Sequence, residues 1–288
     1  MKEAHRIELI ESIEQLSYST IRIEAKTESG TTTGSGFCYR IAEDMQPGQW
    51  IPYLITNKHV IEGAIEIRLT ASTSIENEKV VDKDIFSIVL TGKEVSNNIT
   101  YHPDENIDLC GINLFILIKK ARDLKKEVAL YYIGIAEKFS RNELEKLDAF
   151  EDVIMIGYPN GIWDQINNKP IIRNGCTASH PKKDYNGKSE IMINIPSFPG
   201  SSGSPVFYKS YDGIRQDKNG LILSPHLKIR LLGILYAGPI FNLQGEVEMS
   251  SNALTITTNS PSTMNLGLII KAEKLKELEE EIIKESFI

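Results

Sequence analysis

The sequence predicts an all-β fold, with antiparallel strands closing as barrels or sandwiches and a helix at each end. Three observations predict it. Short apolar or alternating segments recur along the 288 residues; Gly, Pro, Asn and Asp separate them; and helical spacing of apolar residues is clearest near the two termini.

At the start, Ile7, Ile10, Ile13 and Leu16 recur at helical spacing, so an amphipathic helix is expected to about Ser17, packed on a barrel. Strands are then expected at Thr20 to Glu24, Gly34 to Ile41, Ile51 to Thr56, Ile65 to Leu69, Ile85 to Leu90 and Leu109 to Phe115. From Lys119 to Leu147 the composition shifts to Lys, Glu, Leu and Ala, which reads as a helical or looped linker. Strands resume at Val153 to Gly157, Ile171 to Ala178, Ile191 to Ile195, Ser204 to Phe207, Leu231 to Tyr236 and Leu266 to Ile270. Between the last two, Asn242 to Asn265 is rich in Ser, Thr and Asn and reads as a long exposed insertion or hairpin. The end, Ala272 to Phe287, sets Leu275, Leu278, Ile282 and Ile283 on one helical face amid Glu and Lys. The implied organisation is residues 1–120 with the first strand set, 121–150 as linker, and 151–288 with the second set and the closing helix.

Composition narrows the function. A hydrophobic share of 41% and a charged share of 25% are those of a globular protein, and 288 residues bury a sizeable core. The net charge of −7 argues against a sequence-independent grip on nucleic acid, which needs clustered cations. Cys38, Cys110 and Cys176 are odd in number and lie in separate strand-like stretches, so they read as buried thiols in a reducing compartment. The first residues show no long apolar stretch, so neither a signal peptide nor a membrane anchor is expected, and the expected location is cytoplasmic. No metal-ligand spacing occurs, and no cofactor or metal is expected.

The chemistry concentrates at Phe198-Pro199-Gly200-Ser201-Ser202-Gly203-Ser204-Pro205. A serine hydroxyl is a weak nucleophile near neutral pH and needs a base beside it and donors for the oxyanion it creates. Gly200 and Gly203 let the backbone turn tightly, with the N–H groups of Gly200 and Ser202 as the hole. Gly, Ser and Pro also make ordinary surface turns, so the partners decide. His59 follows the apolar run that ends at Thr56, and Asp108 stands where a polar loop enters an apolar stretch; Asp104, deeper in that loop, reads instead as a solvated turn residue. His59, Asp108 and Ser202 follow one another at spacings close to the Ser-His-Asp template of chymotrypsin. His5, His102, His180 and His226 lack such a context and read as surface or core residues.

With these residues the chain resembles the trypsin-like serine peptidases, nearest to their bacterial HtrA or Deg branch. Gly34-Ser35-Gly36-Phe37, Leu54-Ile55-Thr56-Asn57-Lys58-His59-Val60, Ile107-Asp108-Leu109, Ile156-Gly157-Tyr158-Pro159, Leu232-Gly233-Ile234 and Leu266-Gly267-Leu268-Ile269-Ile270 resemble that branch's motifs, in order and over most of the chain. The resemblance implies two chymotrypsin-like β-barrels, with His59 as general base, Asp108 as its orienting acid and Ser202 as nucleophile of an endopeptidase acting on protein or peptide substrates. It implies that Leu235-Tyr236-Ala237-Gly238 lines the primary pocket and pairs with substrate backbone, with Pro196 at the pocket base. Without an acid there, small or apolar residues are expected before the scissile bond.

Two departures bear on regulation. Ser201 replaces the Asp that pairs with a freed N-terminal amine in secreted zymogens, so activation by trimming is not expected. Ser204 stands where many relatives carry a second Gly, and no PDZ-like domain is expected after residue 288. In HtrA-like relatives loops or partners can switch the oxyanion turn, so an activating protein partner is expected. The rival readings are a silent or latent trypsin-like fold that binds peptide by strand addition, and a cysteine-nucleophile relative. The second is disfavoured, because none of the three cysteines lies in a Gly-x-Cys-Gly turn.

Overall fold

The computed structural model describes residues 13–45, 48–73, 75–76, 79–80, 85–139, 141–212, 215–217, 220–222, 226–248 and 255–286. Seven strands of the first half are β1 (Thr20–Thr27), β2 (Gly30–Ile41), β3 (Ile51–Thr56), β4 (Glu66–Ser72), β5 (Ile85–Thr91), β6 (Ile99–Tyr101) and β7 (Cys110–Asn113). They make one antiparallel sheet in the order β5-β4-β1-β2-β3-β7-β6. The second half contributes β8 (Asp152–Gly157), β9 (Ile171–Cys176), β10 (Glu190–Ile193), β11 (Pro205–Asp212) and β12 (His226–Ala237). After β13 (Ile240–Glu248) and β14 (Thr255–Thr263) comes β15 (Gly267–Lys271). The second sheet runs β9-β8-β11-β12-β15-β10, and β13 and β14 pair with each other as a separate ribbon. Both sheets curl, and the architecture is the double β-barrel of the chymotrypsin fold.

Alternation along the strands builds three cores. Leu54 of β3 belongs to the interior of the first barrel with Ile23, Ile67 and Cys110, while its neighbour Ile55 faces a core shared by both barrels. In β8, Val153 and Met155 face the second barrel's interior with Ile193 and Leu235, whereas Ile154 and Ile156 face the shared core with Phe37 and Phe207. Both faces of such a strand are buried, which is why its sequence runs apolar without a break. Each fully buried Ile or Phe contributes about 1.5–3 kcal/mol, so the shared core helps to hold the two barrels together.

The helices cover the shared core. Leu16, in the helix Ile13–Ser17, is fully buried there, and Ile13 packs beside it; Ile7 and Ile10 lie outside the described residues. The closing helix Leu275–Ser286 sends Leu275, Leu278 and Ile282 into the same core. The Glu279 carboxylate accepts the Ala42 N–H at 2.8 Å, and Thr100 donates to Glu285 at 2.5 Å, so the last helix is pinned to the first barrel. Two expectations need correction. Residues Leu109 to Phe115 are not one strand, because β7 stops at Asn113, whose side-chain oxygen accepts the Phe115 N–H as the helix Phe115–Asp123 begins. Cys38 and Cys110 are buried, but Cys176, at the end of β9, is only half-buried.

Candidate active site

β3 delivers His59. The strand ends at Thr56, whose hydroxyl donates to Ser35 O at 2.7 Å, and extended Asn57 then starts the one-turn helix Lys58–Ile61. Asn57 is fully buried and its amide donates to the Asp108 carbonyl at 2.7 Å, tying the histidine segment to the loop before β7. The Asp108 carboxylate grips His59 twice. Oδ1 accepts the backbone N–H at 3.1 Å, and Oδ2 lies 2.5 Å from ring Nδ1. A carboxylate only accepts, so Nδ1 carries a proton, and in the neutral ring this leaves the lone pair on Nε2, the tautomer a general base needs. Asp104 faces away, accepting from the backbone and side chain of Asn106 at 2.9 and 3.0 Å, as expected of a solvated turn residue.

The second barrel delivers Ser202 on the turn before β11. Gly200 and Gly203 both have φ of +83°, in the left-handed region that favours glycine. A Cβ on Gly203 would stand 1.9 Å from Ser35 O, and one on Gly200 would stand 2.6 Å from Tyr158 O. The turn is locked by Ser201 N–H to Phe198 O at 3.0 Å, Ser204 N–H to Ser201 O at 3.0 Å and Gly203 N–H to Leu235 O at 2.8 Å.

The orientation of the N–H groups on this turn follows from one carbonyl. Pro199 O accepts the Asn160 N–H at 2.5 Å, so the N–H of Gly200, across the same trans peptide, points the opposite way. Among the described residues neither the Gly200 nor the Ser202 N–H donates to a protein acceptor. Two unengaged donors on one turn are what an oxyanion hole requires.

Ser202 Oγ donates to Tyr236 O at 3.5 Å and has no hydrogen bond to His59. Tyr236 lies at the end of β12, where the pairing with β15 skips it between Leu235 and Ala237, and the pairing with β11 has already ended at Pro205 opposite Ile234. On its β11 side, β12 from Tyr236 onward has no strand partner among the described residues, while Ala237 still pairs with Leu268 of β15. The Tyr236 phenol donates to Glu190 at 2.8 Å, and burial pushes the phenol pKa well above the ordinary tyrosine value, with Glu190 adding to it. Gly238 packs so closely on Ser197 that a Cβ there would stand 2.4 Å from the Ser197 Cβ.

Two residues of the site were not singled out in the sequence for what they do. Ser35 donates its hydroxyl to Gly200 O at 3.0 Å and accepts the Tyr158 N–H at 3.0 Å. Arg173 of β9 donates to Pro196 O at 2.8 Å and to Ser201 Oγ at 2.9 Å. Gly34-Ser35-Gly36 was a readable motif, but its partners lie on the other barrel. The signal for Arg173 is a cation on a strand face whose opposite-face neighbour, Ile172, is 45% exposed.

One barrel bearing a paired His and Asp, and another bearing Ser on a turn with free N–H groups, define a hydrolase of the serine peptidase class. The model of the trypsin-like peptidase domain matches residues 34–213, and the chain belongs to that family. Comparison with curated proteins gives no match. Among solved structures, the Rv3671c protease of M. tuberculosis in its active form is 14% identical over 94% of this chain and 83% of that one, with a TM-score of 0.45. The HtrA-type protease AlgW with tripeptide is 15% identical over 95% of this chain and 63% of that one, with a TM-score of 0.45; this chain thus spans less than two thirds of AlgW. The catalytically inactive tobacco etch virus protease complexed with substrate is 12% identical over 96% of this chain and 86% of that one, with a TM-score of 0.47.

Proposed function

We propose that the chain hydrolyses peptide bonds in proteins by way of an acyl-enzyme on Ser202. His59 Nε2 takes the hydroxyl proton as Oγ attacks the carbonyl carbon, and later gives it to the leaving amine. Asp108 holds the imidazole in register and stabilises its charged form. The N–H groups of Gly200 and Ser202 receive the oxyanion, and water then releases the acyl group by the same route in reverse. The observation that carries this reading is the double grip of Asp108 on His59, which fixes both the tautomer and the ring.

The rotation of Ser202 toward Tyr236 O favours a second, narrower reading within the first, a resting state opened by substrate. A peptide adding to the free edge of β12 brings an N–H to Tyr236 O, displacing the serine hydroxyl toward the imidazole. The close approach of Gly238 to Ser197 supports a small residue before the scissile bond. The buried thiols of Cys38 and Cys110, pushed far up in pKa by burial, support a reducing compartment, for which we infer the cytoplasm. A partner that releases the resting serine is a further part of this reading.

The test is labelling by a fluorophosphonate probe, comparing the native chain with Ser202→Ala and His59→Ala. Labelling that both substitutions abolish establishes the activated serine. Labelling that survives Ser202→Ala, or none in the native chain even with a peptide pool present, removes the peptidase reading in favour of a binding module.

A further inference from the structure

Ser201 follows Gly200 and precedes the nucleophile, and it is fully buried. Its hydroxyl accepts from Arg173 Nη2 at 2.9 Å, while Nη1 of the same guanidinium donates to Pro196 O at 2.8 Å. Arg173 reaches there from inside the second barrel. In the β8–β9 register it stands opposite Met155, which is buried in that barrel's core, so the two share the inward face. Arginine is rarely placed so without an acid. Among the described residues no carboxylate lies within ion-pair reach of Arg173, and its Nε is buried without a partner. Burial alone lowers its pKa, to about 10, so it stays charged at neutral pH.

A half-buried cation with only neutral acceptors and a desolvated Nε costs stability, and leucine or methionine would fill the space at less expense. What the guanidinium does that they could not is bridge two points of one turn. Pro196 and Ser201 bracket the segment that carries Phe198, Pro199 and Gly200, and the peptide between Pro199 and Gly200 sets the oxyanion hole. Both acceptors are held by one planar group, so the segment cannot shorten or flip without breaking a charge-assisted bond.

We propose that Arg173 is a positioning residue, a fixed internal brace that holds the 196–203 turn in its hole-forming state without any freed chain terminus. The proposal rests on the peptidase reading for its consequence, but not for its geometry. It explains why an uncharged Ser201 suffices where a carboxylate would otherwise be required, because the charge sits on the strand and not on the turn. It also separates two forms of control. The turn is held from within, so regulation acts on the Ser202 hydroxyl and the β12 edge.

The test uses the full chain with Arg173→Met, Arg173→Lys, Ser201→Ala and Ser201→Asp, and reads two quantities. The first is amide hydrogen exchange over residues 197–204, which needs no activity. Arg173→Met is expected to speed exchange at the Ser201, Gly203 and Ser204 amides by an order of magnitude or more, with the first barrel unchanged. The second is fluorophosphonate labelling, expected to fall by about a hundredfold, the loss of one oxyanion donor. Arg173→Lys recovers part of both, since it restores the charge but only one bond at a time. Ser201→Ala shows a smaller loss, and Ser201→Asp, which gives the guanidinium an acid, keeps both readouts at or above the native level. Exchange unchanged in a folded Arg173→Met protein overturns the brace. So does a uniform rise in exchange across the whole second barrel, which would make Arg173 a general stability element. If Arg173→Met does not fold, Ser201→Ala and Ser201→Asp decide: equal exchange at 197–204 in those two overturns the proposal. Local loss of protection with no labelling even in the native chain upholds the brace and removes the peptidase reading, so the two failures remain distinct.

Discussion

The N–H of Ser35 donates to the carbonyl of Ser202 at 2.8 Å, so the proposed nucleophile on the second barrel is held by the backbone of the first. The Ser35 hydroxyl extends the clasp, donating to Gly200 O and accepting from Tyr158 N–H, each at 3.0 Å. One residue therefore fixes the carbonyls on either side of Ser201 and the start of the loop that supports Pro199. In a two-barrel peptidase the acid and base lie on one barrel and the nucleophile on the other. Catalytic register is then only as good as the bonds crossing between them.

The first prediction concerns this clasp. Ser35→Ala keeps the N–H bond to Ser202 but leaves the buried Gly200 O and Tyr158 N–H without the hydroxyl, a loss of about 1–3 kcal/mol of stability. The loss falls on the turn proposed to form the oxyanion hole, so labelling of Ser202 drops by more than unfolding accounts for. Thermal melting and labelling rate on the same preparation check it, and a full labelling rate would show the clasp to be dispensable for register.

The clasp also shows what the sequence conveyed and what it withheld. β3 coincides with the expected strand Ile51 to Thr56, and β1, β2, β5, β8 and β9 lie within a few residues of expectation, because alternation and turn residues are local signals. Three-residue β6, with little room for a pattern, went unread. His59 and Asp108 were legible since each sits at a change from apolar to polar sequence, and the structure brings them into contact. Ser35 and Arg173 were not legible as site residues. Ser35 meets Gly200 from 165 positions away, and Arg173 faces inward on a strand where a core would call for an apolar side chain.

A second prediction follows from the departure at Ser204. Its side chain is fully buried, and its hydroxyl has no hydrogen-bond partner. Gly157 makes the room, since a Cβ at that position would stand 1.9 Å from Ser204 Oγ. Ser204→Ala removes a desolvated hydroxyl and keeps the backbone bonds to Ser201 and Leu235, so stability holds or rises by about 1 kcal/mol. For a chain of this size that is a rise in Tm of roughly 2–4 °C. A marked fall in Tm would mean that the hydroxyl has a partner.

Arg173 also bears on substrate choice. Its guanidinium donates to Pro196 O at 2.8 Å, directly at the proposed pocket base, with no acid in ion-pair reach among the described residues. A Lys or Arg side chain entering that pocket would be desolvated beside a like charge, which costs several kcal/mol. Peptide libraries should show cleavage after Ala, Ser or Gly exceeding cleavage after Lys or Arg by about a hundredfold in kcat/KM, since about 2.7 kcal/mol suffices for that ratio. Arg173→Met should narrow the ratio even as it slows every substrate. Preferential cleavage after Lys or Arg in the native chain would place the pocket elsewhere.

The last prediction concerns His102, buried under the closing helix. Its Nδ1 accepts the Asp104 N–H at 3.1 Å, so the ring proton sits on Nε2, which donates to Lys274 O at 3.2 Å. The ring is therefore held neutral. Burial pulls its pKa below the ordinary 6.5, opposed by Glu277 at 3.5 Å and aided by Lys58. A depressed pKa means the unfolded chain takes up the proton first as pH falls. The stabilisation is complete above about pH 6.5 and is lost at up to about 1.4 kcal/mol per pH unit below it, until the folded ring also titrates. Melting temperatures measured from pH 7.5 to pH 5 should fall, and His102→Gln, destabilised at neutral pH, should show a flatter slope over the same range. Parallel slopes would assign the acid sensitivity to other groups, and with it the anchoring of the helix Leu275–Ser286 would no longer depend on a neutral ring.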